Sequence, residues 1–163
     1  MPEYSLHQAH DLAQMAIEAR EVQANNGVRA RNCLYLAHLS IELALKAALE
    51  QAGMSIASIR RLNHNLFLLS RAVGSCSFTH ELGVGKGVVV RDLKATHGGG
   101  CLSFGYFVDA TQWESISRYP GELRYGSDVN HFNPRVVAQL ASELCKWLEA
   151  RIHTFRLGAE VRD

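Results

Sequence analysis

The chain has 163 residues, 47% hydrophobic and 20% charged, with 17 basic against 16 acidic side chains. That length fits one domain, or one domain plus an appendage, and a domain of this size can bury roughly 70% of its unfolded surface and so needs no disulfide or metal staple to fold. The net balance of +1 excludes a strongly basic nucleic-acid coat and a long acidic tail, and three prolines exclude a Pro-rich linker architecture.

In chain order, Leu6, Ala9, Ala13, Ala16 and Ile17 recur at helical spacing and predict a helix from Leu6 to Gln23, with Ser5 as N-cap and Asn25-Asn26-Gly27 as its end. A second helix, Arg29 to Gln51, carries Leu34, Ala37, Ile41, Ala44, Leu45, Ala48 and Leu49 on one stripe and Leu36, Leu39 and Leu43 on the other side. A helix apolar nearly all round is central in its bundle, or covered on its second face by another subunit. Glu42 and Lys46 stand at i,i+4 on it, in the order that supports a helix. Gly53 ends this run. Asn63 is then expected to cap a third helix, His64 to Val73, with Leu66, Leu69 and Val73 inward.

The stretch from Gly83 to Gly105 holds seven of the thirteen glycines. Val88-Val89-Val90 and Leu102 to Val108 are β-prone, which predicts a two-stranded hairpin or loop inserted between helices, over about residues 78–108. A short helix is expected from Asp109 to Arg118, broken by Tyr119-Pro120-Gly121. Asn133-Pro134 opens the last helix, with Val137, Leu140, Ala141, Leu144, Trp147, Leu148, Ile152 and Phe155 as its stripe and Gly158 as its end. The expected architecture is a single all-α domain over residues 1–163, an up-and-down bundle of four to five helices with a Gly-rich hairpin or loop inserted.

Cys33, Cys76, Cys101 and Cys145 form no C-x-x-C pair and no cysteine–histidine zinc pattern, so each reads as a small buried apolar residue and no metal is assigned. The N-terminus shows no signal-type apolar region, and no stretch reaches the ~20 apolar residues of a membrane span; the chain reads as cytoplasmic. Gly83-Val84-Gly85-Lys86-Gly87 lacks the order of a P-loop and reads as a turn, while Lys86, Arg91 and Lys94 make the insertion locally basic. His38 reads as a satisfied core or interface histidine, and His7, His10, His80 and His97 as residues without a metal role. Polar and aromatic groups concentrate from Arg118 to His131. There Arg118, Tyr119, Arg124 and Tyr125 suit an anion or RNA pocket, since Arg holds phosphate bidentately and Tyr stacks a base. The alternative is a polar connector with both tyrosines packed on the bundle.

The run Leu34 to Leu49 with its Glu42-x-x-x-Lys46 core, then Gly53, His64-Asn65-Leu66 and Arg118-Tyr119-Pro120, resembles the HEPN superfamily (higher eukaryotes and prokaryotes nucleotide-binding) over roughly Leu6 to Ala150, outside the insertion. The resemblance implies a helical bundle, usually a homodimer, often encoded beside a minimal nucleotidyltransferase. Many members cut RNA as toxins or defence effectors; others are non-catalytic. Catalytic members carry Arg-x4-6-His, one copy per protomer, and need no metal or cofactor. A ribose 2′-hydroxyl attacks the adjacent phosphate, with His as acid or base and Arg against the charged phosphorane. Arg31/His38, Arg91/His97 and Arg124/His131 fit that spacing, and chance alone would supply about two such pairs among thirteen Arg and eight His. The position of the family motif, near the start of the late helix, selects Arg124 and His131 as the catalytic pair. Tyr125 rather than Asn follows Arg124, and Asn133 stands where toxin-type members carry a Tyr. Two functions follow as expectations. One is a metal-independent ribonuclease of a toxin–antitoxin or defence system, with Arg118, Tyr119 and Tyr125 on the RNA. The other is a non-catalytic module binding a nucleotide or a partner such as the nucleotidyltransferase.

Overall fold

The computed structural model describes residues 1–21, 27–113, 120 and 132–158, with the backbone alone at 20, 21 and 27–29. It is mainly helical with two small antiparallel sheets: α1 (Leu6–Glu21), α2 (Gly27–Gln51), α3 (Ile56–Arg61), α4 (Leu66–Gly74), β1 (Ser77–His80), β2 (Gly83–Lys86), β3 (Lys94–His97), β4 (Gly100–Ser103), α5 (Phe104–Ala110) and α6 (Pro134–Glu149). None of these helices is long and apolar enough to cross a membrane.

The centre of the bundle is α2, packed on α1, α4 and α6. Its stripe Leu34, Ala37, Ile41, Ala44, Leu45, Ala48 and Leu49 is fully buried, and Leu36, Leu39 and Leu43 are half-buried. The first helix approaches closely because its inward positions are small: Ala9, Ala13 and Ala16 are buried. The short separation lets α2 side chains reach α1 backbone. Ser40 Oγ donates to the Ala9 carbonyl at 2.6 Å, and Cys33 Sγ to the Ala16 carbonyl at 3.2 Å. Ser5 caps α1, its Oγ accepting from the Gln8 amide at 3.2 Å. Asn25 and Asn26, expected to end α1, lie outside the described residues.

The turn after α2 differs from expectation. Ser55 caps a short α3, accepting from the Ser58 amide at 3.2 Å. Asn63 caps nothing: it takes a left-handed φ of +55°, which asparagine tolerates better than most residues. Asn65 is the cap of α4 instead, its Oδ1 accepting from the Leu68 amide at 3.0 Å.

The insertion is two hairpins rather than one. β1 pairs with β2 and β3 with β4. Val88-Val89-Val90, expected as strand, lies in a 3-10 turn over Gly87–Asp92 that joins them. Leu102 to Val108 is split. The strand ends at Ser103, whose Oγ accepts from the Tyr106 amide at 3.2 Å and starts α5, with Phe104, Phe107, Val108 and Ala110 buried. Asp109 and Ala110 close α5 and a turn follows over residues 111–113, so no helix starts at Asp109; residues 114–118 of that expectation lie outside the described residues. Gly98 and Gly99, both at positive φ (+55° and +84°), form the two-residue turn of the second hairpin, where left-handed geometry matches the strand twist.

The last helix starts as expected, with Asn133 Oδ1 accepting from the Arg135 amide at 2.9 Å and Pro134 in the first turn. It ends at Glu149, well before Gly158. Ile152 and Phe155 therefore belong to the chain beyond it, where Phe155 stacks on Phe78 (5.5 Å, 16°) and a bridge pairs Ser77 with Arg156. The first hairpin is anchored to the bundle this way. Gly87 is its other anchor: its amide donates to the Cys76 carbonyl at 2.7 Å, and a Cβ there would collide with the backbone carbonyl of Val73. Gly87→Ala is expected to destabilise the fold by about 1–3 kcal/mol, because rigid backbone must shift to admit one methyl group. Urea unfolding checks it, and a stability equal to that of the parent protein would contradict this packing.

Candidate functional site

The most heavily engineered polar cluster among the described residues surrounds Glu42. Its carboxylate sits on the central helix, and its side chain is 3% exposed. Lys46, one turn later, donates from Nζ to Glu42 Oε1 at 2.7 Å. His64 reaches the same oxygen with Nδ1 at 2.9 Å. The left-handed turn at Asn63, between the end of α3 and the Asn65 cap of α4, carries the chain through His64 as it faces α2.

Lys46 is buried too, its side chain 8% exposed, and its Nζ lies 5.4 Å from the centroid of the Tyr4 ring, a cation–π contact. Tyr4 is held in turn by Glu50, whose carboxylate accepts from the Glu3 and Tyr4 amides at 2.9 and 2.8 Å. Arg60 of α3 clamps Glu3 at 2.8 Å. The N-terminal segment is thereby strapped across α2 and α3. Of the three central groups only the His64 side chain, half exposed, stands at the surface. A buried carboxylate facing an ammonium and an imidazole can orient the ring and hold a proton at a fixed place; it has neither the ligand set nor the geometry of a metal centre. Among the described residues no group of three or more His, Cys, Asp or Glu could hold a metal ion.

The sequence-selected residues Arg118, Tyr119, Arg124, Tyr125 and His131 lie outside the described residues. The other two Arg/His pairs of matching spacing, Arg31/His38 and Arg91/His97, are within them. His38 is buried, its Nδ1 2.8 Å from the Leu34 carbonyl and its ring edge-on to Phe107 at 5.1 Å. Arg91 is bound fork-to-fork by Asp109, Nη1 to Oδ1 at 3.0 Å and Nη2 to Oδ2 at 2.6 Å. That commitment removes Arg91 from the basic face read for the insertion and leaves Lys86 and Lys94 as its exposed cations.

Burial lowers the His38 pKa to about 4, against the opposing effect of the Leu34 hydrogen bond. The unfolded chain binds that proton near pH 6.5, so between 6.5 and 4 the unfolded state carries more protons than the fold. Stability is then fully present above pH 6.5 and falls as pH is lowered through that window, by about 3 kcal/mol in all. His38→Asn keeps a donor for the Leu34 carbonyl but does not titrate. Its urea-unfolding free energy is expected to lose this part of the pH dependence, and an unchanged slope would show that His38 is not the group responsible.

The thiols follow their environment. Burial pushes Cys76 and Cys145 up to about 11, which makes them poor nucleophiles. Cys33 is buried as expected, whereas Cys101 on β4 is exposed. A shallow cleft of about 190 Å³ between α4 and the 3-10 turn is lined by Phe67, Ser70, Arg71, Gly74, Val88 and Arg91. It is smaller than the roughly 300 Å³ at which small-molecule pockets begin.

No protein-family model, curated protein or solved structure matches the chain.

Proposed function

We propose that the chain is a HEPN-like protein that acts on RNA, a metal-independent ribonuclease of a prokaryotic toxin–antitoxin or defence system working in the cytoplasm as a homodimer. The observation that supports this reading is the convergence of the residues that carry the resemblance. Glu42, Lys46 and His64 are separated by up to 22 positions in sequence, yet they meet on one carboxylate oxygen at the surface of the central helix. On this reading Arg124 and His131 are the catalytic pair, and Arg118, Tyr119 and Tyr125 hold the RNA. Catalysis is an in-line transesterification. The 2′-hydroxyl loses its proton and attacks the neighbouring phosphorus, His131 serves in proton transfer, and Arg124 stabilises the negative phosphorane. With a near-neutral chain, RNA contact is concentrated around these residues and the exposed Lys86 and Lys94 rather than spread over the surface. The test is cleavage of single-stranded RNA by the purified chain in excess chelator. Cleavage is expected, and an intact substrate would overturn the reading.

A second reading, a non-catalytic module that docks a nucleotidyltransferase-type partner protein, is favoured by the apolar tip of the first hairpin. Leu82 is 93% and Val84 74% exposed there, more than a solitary hairpin in water needs. This reading predicts saturable binding of the partner and no RNA cleavage.

A further inference from the structure

Three of the residues lining the shallow cleft between α4 and the 3-10 turn have no hydrogen-bond, ionic or ring partner among the described residues. The first is Ser70. It is 3% exposed, yet its hydroxyl makes no hydrogen bond there. A helical serine can give its hydroxyl to the carbonyl four residues back, and a buried hydroxyl left unpaired is costly. The second is Phe67. It is half-buried on the cleft and stacks on no other ring, whereas Phe78, Phe107 and Phe155 all pair with aromatic neighbours. The third is Arg71, exposed and without an ion pair. Arg91 is the opposite case. Asp109 and the Gly105 carbonyl hold its guanidinium, so it offers the cleft a fixed plane with its charge already balanced. Gly74 and Val88, the latter 49% exposed, complete the apolar side.

The cleft thus joins an apolar side to a hydroxyl and a free cation. A bare phosphate would leave Phe67 and Val88 in water. A plain hydrocarbon would leave Ser70 and Arg71 unpaired. A flat ring with a polar edge and an attached anion satisfies both sides, and a nucleotide is such a group. Unstacked bases lie on aromatic rings and guanidinium planes and take hydrogen bonds on their edges. The volume of about 190 Å³, the share of about six liquid waters, suits one base with its phosphate at the mouth. We propose that this cleft is a subsite for one nucleotide of single-stranded RNA. The base lies among Phe67, Val88 and the Arg91 plane, the Ser70 hydroxyl bonds to the base edge, and Arg71 pairs with the phosphate. The proposal rests on the reading of the chain as an RNA-acting protein. It uses Val88 and Arg91 of the insertion, which lies outside the HEPN resemblance.

The test uses the full-length chain and two probes. Adenosine 5′-monophosphate is followed by amide shifts in NMR. A mixed-sequence single-stranded RNA with 2′-fluoro in place of each 2′-hydroxyl, which removes the nucleophile, is followed by fluorescence anisotropy. Adenosine 5′-monophosphate should shift the amides of Ser70, Arg71, Gly74 and Val88 saturably, and ribose 5-phosphate should bind at least about tenfold more weakly for want of a base. Ser70→Ala should weaken both probes by about 3–10-fold, the worth of one hydrogen bond. Its Tm should be no lower than that of the wild type, because the hydroxyl has no partner in the fold to lose. Arg71→Gln should weaken RNA binding and reduce the slope of log affinity against log salt by about 0.7, the share of one phosphate contact. Three results would each overturn the subsite and leave the RNA-acting reading standing: ribose 5-phosphate binding as tightly as the nucleotide, shifts that miss the cleft, or RNA affinity in both variants within about 1.5-fold of wild type. Unmodified RNA left both unbound and uncut by the wild-type chain overturns the two together.

Discussion

Replacing Lys46 with Met is expected to lower the stability of the fold by about 3–5 kcal/mol, the cost of leaving a buried carboxylate without its cation. For a chain of this length each kcal/mol moves Tm by roughly 2–4 °C, so the variant should melt roughly 6–20 °C lower. The cause is specific. Glu42 is 3% exposed and its ammonium partner, 2.7 Å away, is 7% exposed and lies against the Tyr4 ring. His64 lies on the same oxygen but is half exposed and cannot supply the same charge at the same depth. The double variant Glu42→Leu/Lys46→Met should recover most of the loss, because removing both charges removes both desolvation costs. Urea unfolding of the four proteins of this cycle measures the coupling. If the double variant is as unstable as the sum of the two single changes, the pair is not an interdependent buried unit.

On the proposed function, His131→Ala should lower RNA cleavage by about 10²–10⁴-fold, the usual contribution of a positioned proton-transfer group. Arg124→Ala should cost about 10²–10³-fold through loss of charge stabilisation at the phosphorane. Neither change should lower Tm in step with the loss of activity, because the role assigned to each is in the reaction and not in the core. Single-turnover cleavage with enzyme in excess separates chemistry from RNA binding. Retention of wild-type rates in His131→Ala would remove the Arg124/His131 assignment.

The bundle was legible where periodicity and capping agree. The all-round apolar pattern of Arg29 to Gln51 announces a helix that its neighbours must cover, and α1, α4 and α6 cover it. Asn133-Pro134 announces the start of α6 for a local reason, a side-chain acceptor followed by a residue with no amide to satisfy. The insertion was less legible because β-branched and glycine-rich composition says little about partners. Val88 to Val90 have strand propensity, but Gly87 closes against α4 and the following residues wind into a 3-10 turn. In Leu102 to Val108 the spacing of Phe104, Phe107 and Val108 is helical, and Ser103 is a cap. That signal was present and was outweighed by strand propensity. Asn63 misleads for a related reason: asparagine suits both a cap and a left-handed turn, and only the geometry between α3 and α4 decides which.

Part of the candidate site was visible in the same way. Glu42 and Lys46 at i,i+4 read as a helix-supporting pair, and the ion pair is there at 2.7 Å. What the spacing does not say is that the pair is buried. The sign available was its company: on a helix apolar all round, a Glu-x-x-x-Lys pair has little solvent-facing surface to occupy. The arrival of His64 on the same carboxylate depends on the Asn63 turn, which periodicity does not encode. The fate of Arg91 was equally hidden, since its partner Asp109 is 18 residues away and on α5.

The most direct measurement of the central claim uses a deoxyoligonucleotide carrying one ribonucleotide, incubated with the full chain in excess chelator and analysed by mass spectrometry. A 2′-hydroxyl nucleophile predicts a cut only at the phosphate 3′ to that ribose, leaving a 2′,3′-cyclic phosphate and a 5′-hydroxyl. An intact oligonucleotide, or equal cutting of its all-deoxy counterpart, would contradict the account.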